Sequence, residues 1–434
     1  MVSSQNEGKL RFPRFIERML FRGSSKSVQT TFLEERSMYR KLIPVFTLLI
    51  AVALIAAACG GAETPTTAPQ ATEPPPAPTE ATGGESAQPP QAQQPVETVI
   101  VTVEVPGQAV PSQPQGYGTI TARVRDRGKV VCGVHTELLG FGYLDANGRN
   151  LGFDIDLCRS VAAAVLGDPE AIEAVPITAA DRGPVLQTGE VDMVTRNMTW
   201  TSKRDAEWGN FTWIMFYDGQ GFLVRADSGI QTLQDMDGAS VCVTTGTTTE
   251  KNLATSFADA GLTYEAVPFE ETSAVYGAYE EGRCDVATSD KSQLAAVRAG
   301  FQNPADHVIL DMTISKEPLT PAVPSGDDQW FDIVKTVMWG LINAEEYGVT
   351  SANVEDMKAS ENANVRTLLG AEADWGYTTL TLDPAALANA IAAVGNYGEI
   401  YNRYMGPDGI AFTLDRGLNN LWTNGGLIYA PPIK

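Results

Sequence analysis

The chain has 434 residues, room for two domains and tails, and is 43% hydrophobic and 8% aromatic, a composition that builds packed cores and excludes global disorder. Its formal net charge is −22, and because residues 1–58 hold nine Lys/Arg against four Asp/Glu, the acidity belongs to the body that follows. Such a surface repels nucleic acid and anionic lipid, which argues against either as a direct partner, but it leaves a small ligand open.

Residues 1–37 fit no part of a targeting signal, and Met38, followed by Tyr39, Arg40 and Lys41, is the expected start. The apolar run LIPVFTLLIAVALIAAA at 42–58 follows those two cations and ends at Cys59. A charged start, an apolar middle and small residues before a boundary make 38–58 an export signal. A spanning helix is the weaker reading, because the run is short and contains Pro44. Cys59, between Ala57-Ala58 and Gly60-Gly61, resembles the lipobox of bacterial lipoproteins, with Ala56 where Leu is usual. That resemblance implies cleavage before Cys59 and a diacylglyceryl thioether on its sulfur, a tether that does not span the membrane. Residues 59–117, rich in Pro, Thr and Ala, have too few large apolar side chains to bury and are expected to form a disordered spacer. Within it, VETVIVTVEV at 96–105 alternates like a strand but has no evident partner. Beyond Cys59, an exported chain with Cys132, Cys158, Cys242 and Cys284 is expected to form two disulfides, with three pairings open at this point. CxxC spacing is absent and His135 and His307 are the two histidines, so neither a structural metal site nor a cofactor is expected.

From about Tyr117 strands and helices alternate, the mark of an α/β body. A strand at 129–134 is followed by a helix at 154–166, a strand at 174–177, a helix at 181–188 and a strand at 192–197. A second cycle repeats the plan: strand 240–245, helix 248–260, strand 264–269, helix 273–281, strand 284–288. Two cycles in series predict two lobes, each on its own sheet. In the helix expected over 328–345, Trp330, Ile333, Val334, Val337, Met338, Leu341 and Ile342 form one apolar stripe, and Asp327 and Asp328 suit its N-terminus.

Three distant segments carry polar chemistry at strand ends. In NMTWTSKR at 197–204, Arg204 has the fork that clamps a carboxylate, with Asn197 and Thr199 beside it. In TTGTTTE at 244–250, Thr247 and Glu250 form a capping box, Gly246 permits close approach, and the amides that follow face an anion. It is not a phosphate-binding loop, since no Gly-Lys-Ser/Thr follows. In GRCDVATSD at 282–290, Asp290 stands at a strand's carboxyl end, where open α/β sheets place ligand groups. A free amino acid needs this combination: a cation with donors on one side and an anion on the other.

Together with GFDIDL at 152–157, VCVTTGTTTE at 241–250, GDDQWFDIV at 326–334 and GNYGE at 395–399, these segments resemble the amino-acid-binding solute receptors of bacterial ABC transporters. The likeness runs over 118–434 and is strongest to the general L-amino-acid-binding subfamily. It implies the type II periplasmic-binding-protein fold, two α/β lobes joined by two crossover strands with the ligand cleft between them. Lobe 1 would comprise 118–219 and 322–434, lobe 2 would comprise 220–321, and the crossings would fall near 217–220 and 321–324. That division selects Cys132–Cys158 and Cys242–Cys284 as the disulfides, the second joining two strands, and wraps the tail beyond Tyr347 around lobe 1.

By the same resemblance, Arg204 holds the α-carboxylate, aided by Thr199, Thr247 and Thr248. Asp290 holds the α-ammonium, with a backbone carbonyl from the Asn197 region. The loop 135–141 selects the side chain through His135 and Leu138; Leu138 stands where narrow-specificity members often carry an aromatic, which implies a broad pocket. The implied partners are a free amino acid, a membrane permease and, through the lipid, the outer face of the cytoplasmic membrane or the periplasm; the chain is expected to be monomeric. A dehydratase-like enzyme on this fold would need an acid or base, Glu137 or His135, but nothing pairs either with a nucleophile or metal. A sensor would be expected to continue past Lys434 into a spanning helix.

Overall fold

The computed structural model describes residues 118–407 and 409–434. The expected start, export signal, Cys59 and spacer with its 96–105 patch lie outside them. Helix α1 (Thr119–Arg127) leads into β1 (Val130–Val134), whose five residues are all buried. A parallel strand covered on both faces has no polar side, which is why VVCGV reads as an unbroken run. The chain continues through α2 (Phe153–Leu166), β2 (Ile172–Pro176), α3 (Arg182–Thr188), β3 (Met193–Thr195), α4 (Ser202–Glu207) and β4 (Asn210–Phe211). It crosses on β5 (Phe216–Asp218) and builds the second lobe from β6 (Gln220–Arg225), β7 (Ala239–Thr244), α5 (Thr248–Ala260), β8 (Tyr264–Phe269), α6 (Thr272–Glu280), β9 (Val286–Asp290), α7 (Lys291–Gly300) and β10 (His307–Ile309). Strand β11 (Glu317–Leu319) returns and β12 (Ala322–Val323) rejoins the first sheet.

The two sheets share one plan. The first runs β2-β1-β3-β12-β4 and the second β8-β7-β9-β6-β10. In each, the first three strands are parallel and the fourth is antiparallel to the third. Strands β5 and β11 pair antiparallel, Phe216 opposite Leu319 and Asp218 opposite Glu317, so the two crossings form one ribbon between the lobes. The return crossing lies upstream of the expected 321–324, because Ala322 and Val323 are already paired with β3 and β4.

Both expected disulfides are present. Cys132 on β1 bonds Cys158 on α2, while Cys242 on β7 bonds Cys284. The second does not join two strands as expected: β9 starts at Val286, so this bond pins the turn that feeds β9. The helix α8 (Asp328–Glu346) buries its whole predicted stripe. Its first turn is capped by the Asp327 carboxylate, which accepts from the Trp330 N–H at 2.9 Å, and the Trp330 indole donates to the Asp192 carbonyl. Burying each such side chain contributes about 1.5–3 kcal/mol, which makes this helix the spine of the first lobe. Beyond it, α9 (Ala386–Val394) and α10 (Tyr397–Met405) pack onto the same core as α2. Arg403 and Tyr404 on α10 both bind the Asp156 carboxylate of α2.

Two glycines hold conformations that a side chain would obstruct. At Gly152 (φ +133°), which opens α2, a Cβ would stand 2.1 Å from the Phe141 carbonyl oxygen. Gly246 (φ +71°) turns the chain out of β7, and its missing Cβ faces Ala180 of the first lobe at 3.1 Å.

Candidate ligand-binding cleft

Among the described residues, three hydrogen bonds and one contact between hydroxyls that share an acceptor cross from one lobe to the other, so the cleft is closed. His135 Nε2 meets Thr272 Oγ1 at 3.2 Å, Thr199 Oγ1 meets Thr248 Oγ1 at 3.2 Å, Asn197 Nδ2 donates to Gln293 Oε1 at 2.9 Å, and Arg204 Nη2 donates to the Gly246 carbonyl at 3.4 Å. Between them lies a small, narrow polar cavity. Its wall includes Asn197 and Thr199 after β3, Thr247, Thr248 and Thr249 at the start of α5, and Asp290 at the end of β9. These are carboxyl ends of parallel strands in both sheets, where the loops, freed from the ladder, are available to a ligand.

Helix capping sets the polar groups. Thr201 caps α4 by accepting from the Arg204 N–H, and Arg204 stacks on Trp208 with 4.7 Å from guanidinium to ring centre. Thr247 caps α5 by accepting from the Glu250 N–H. The predicted capping box is only half made: the Glu250 carboxylate accepts from Gly246 N–H rather than from Thr247, because the left-handed turn at Gly246 puts that amide within its reach. Asn197, a non-glycine residue at φ +29°, is held by its N–H to Asp154 Oδ2 and its amide to Gln293. Strained backbone of this kind persists where the surroundings over-determine it, as in ligand sites. The Asn197 Oδ1 is buried with no hydrogen-bond partner among the described residues.

The charges are the most telling feature. Arg182, Arg196 and Arg204 are 3%, 5% and 5% exposed, yet among the described residues no carboxylate lies within ion-pairing distance of any of them. Arg159 shows the ordinary arrangement: equally buried, it pairs with Asp156. Arg182 instead donates to the Ala179 and Asn197 carbonyls, Arg196 Nε to the Ile177 carbonyl, and Arg204 Nη1 to the Thr199 carbonyl. Burial lowers all three pKa values, Arg182 well below its ordinary value and Arg196 and Arg204 to about 10, so Arg196 and Arg204 stay charged at neutral pH. Asp290, 5% exposed, has neither an ion pair nor a side-chain hydrogen bond among the described residues. Burial, then the neighbouring Asp218 and Glu317, push its pKa well above the usual carboxylate range, against Arg182 and Arg204. His135 is held neutral by burial and by Arg196 and Arg182. Buried charges are normally paired; here Arg182, Arg196 and Asp290 line one cavity, with Arg204 just behind it, and none of the four has an ion pair among the described residues.

The chain matches the model of the bacterial extracellular solute-binding proteins, family 3, over residues 130–353. It belongs to that family. Among its family relatives, the general L-amino acid-binding periplasmic protein AapJ of Rhizobium johnstonii is 48% identical over 318 residues, covering 73% of this chain and 93% of that one. The glutamate/glutamine/aspartate/asparagine-binding protein BztA of Rhodobacter capsulatus is 46% identical, covering 72% and 92%. A periplasmic binding protein from Brucella ovis, solved with glutathione bound, aligns with a TM-score of 0.70 at 45% identity, covering 72% of this chain and 99% of that one. The family's two-lobe type II fold accounts for the paired sheets and the ribbon between them.

Of the solute-contact residues expected from the sequence, Asn197, Thr199, Thr247, Thr248 and Asp290 line the cavity. Arg204 and Gly246 sit just behind it, bonded to each other, and His135 touches the lining residue Thr272. Leu138 is corrected to a core residue: on the two-residue strand Glu137–Leu138 the pleat turns Glu137 to solvent and buries Leu138 completely. Sequence reasoning missed Arg182, Arg196, Thr272, Ser289 and Gln293, which also line the cavity. Arg196 had a signal, since it immediately precedes Asn197 at the same strand end. Glu317 was missed as well. Buried on the return crossing, it accepts from Thr199 of one lobe, from Thr248 and Asn252 of the other, and from Ser315.

Proposed function

We propose that this solute-binding protein captures a free L-amino acid in the cleft and delivers it to the permease of an ABC importer. The observation that carries the reading is a set of buried ionisable groups of both signs on opposite lobes, unpaired among the described residues, which a zwitterion completes. Arg204 binds the α-carboxylate, each of its terminal nitrogens keeping a second N–H after serving a carbonyl, with the Thr247 and Thr248 backbone amides at the start of α5 as further donors and Thr199 shaping the wall beside them. Asp290 binds the α-ammonium, and the orphan Asn197 Oδ1 is a second acceptor for it. The first lobe takes the ligand and the ribbon lets the second close; the ligand's preference for the closed form shifts the population. The export signal and the lipid on Cys59 place the protein outside the cytoplasmic membrane, as a monomer at the end of its spacer.

A thermal-shift panel of the twenty amino acids on the full chain tests this, because a ligand that binds only the folded state raises the melting temperature. Arg204→Ala is expected to weaken every amino acid alike; unchanged binding in calorimetry would show that the carboxylate sits elsewhere. A second reading, a small peptide, is favoured by an open groove lined by Glu137, Leu139, Tyr276 and Phe301, which shares Thr272 with the cavity. Glutathione, the ligand of the Brucella relative, belongs in the same panel.

A further inference from the structure

The ligand's charge is readable from the cavity wall. A zwitterion with its carboxylate on Arg204 and its ammonium on Asp290 leaves Arg182 and Arg196 facing the cavity without a counter-ion among the described residues. The acids that act on Arg196 are Glu271, Asp154, Asp181 and Glu137, none of them in ion-pair contact. Asp154 is already engaged by the Asn197 N–H, and Asp181 by Thr178. The one hydrogen bond of the Arg196 side chain runs from Nε to the Ile177 carbonyl at 2.7 Å, so both terminal nitrogens have no protein acceptor among the described residues.

The neighbouring polar groups are arranged as donors too. His135 Nδ1 accepts the Glu137 N–H at 3.1 Å, which assigns its proton to Nε2. That N–H then donates to Thr272 Oγ1, and the Thr272 hydroxyl proton is left to point into the cavity it lines. A guanidinium fork and a hydroxyl whose acceptor side is occupied, lining one cavity, make a site for an anion.

We propose that the cleft selects ligands carrying two carboxylates and one ammonium, net charge −1, with the second carboxylate held by Arg196 and the Thr272 hydroxyl. The proposal rests on the amino-acid reading of the site and adds its substrate class: acidic amino acids, or peptides with the same charges. An uncharged side chain leaves a buried guanidinium without an anion, and a cationic one adds a second cation beside it.

Calorimetry on the full chain, freed of ligand, tests this with glutamate, its near-isostere glutamine, and lysine. Glutamate is expected to bind at least ~10-fold tighter than glutamine, with lysine weakest. Arg196→Gln should bring the glutamate-to-glutamine ratio close to unity, and Arg196→Lys should restore part of it, which a purely structural role would not do. If Arg196→Gln does not fold, Thr272→Val should lower the same ratio. Glutamine binding as tightly as glutamate, or a ratio unmoved in these variants, overturns the proposal while leaving amino-acid binding intact. Failure of every amino acid to bind the unaltered chain overturns the underlying reading and this one with it.

Discussion

Replacing Asp290 by asparagine should move ligand affinity and ligand-free stability in opposite directions. The two side chains are nearly isosteric, so the change removes a charge and little else. In the bound state Asp290 is the anion for a buried ammonium, and withdrawing one partner of a buried pair costs about 3–5 kcal/mol, roughly two to four orders of magnitude in Kd. Without ligand the balance reverses. The carboxylate is 5% exposed and has no side-chain hydrogen bond among the described residues, and Asp218 and Glu317 repel its charge. Its pKa is raised in the folded protein, so its neutral form is the one the fold tolerates. The stability it contributes is complete below the ordinary carboxylate range and is lost as pH rises through the raised value. The substituted amide cannot ionise. The D290N chain should therefore melt higher at pH 8 by about 1 kcal/mol or more, ~2 °C for a chain of this size, and the gain should vanish towards pH 4. Differential scanning calorimetry across that range, paired with titration calorimetry, reads both effects. Normal ligand affinity, or a ligand-free variant that melts below the unaltered protein at pH 8, would refute the role given to Asp290.

Two further outcomes follow from the geometry. Gly246→Ala puts a Cβ at φ +71° and 3.1 Å from the Ala180 backbone of the opposite lobe; the left-handed strain costs about 1–2 kcal/mol, and the contact opposes closure, so all ligands should weaken by a similar factor of ~10 or more, while unchanged affinities would show that the turn does not approach the first lobe in the bound state. Cys242→Ser with Cys284→Ser opens a link across a sequence separation of 42, worth about 4 kcal/mol by loop entropy; thermal unfolding should fall by several degrees with ligand selectivity retained, and an unaltered melting temperature would show that the bond adds nothing.

Periodicity alone located the spine of the first lobe, because seven side chains at helical spacing on 328–345 have no stable place but a core. The second disulfide shows the limit of such reading: its partners were identifiable once the lobes were assigned, but the strand expected at 284–288 begins two residues later, since β9 takes its register from β6 and β7 rather than from local propensity. Leu138 failed for a related reason, its side set by the pleat of a short hairpin that composition does not reveal.

For the cleft, local chemistry in the chain specified the ends of strands that carry Asn197, Thr199, Thr247, Thr248 and Asp290, because caps, tight turns and strand-end acids leave short-range marks. Pairing left none. That Arg182 and Arg196 reach one cavity, that no acid among the described residues pairs with them, and that Glu317 links both lobes at the ribbon are facts of distance between residues far apart in the chain. Electrostatic energy depends on separation in space and on burial, and only the closed arrangement of two sheets sets those.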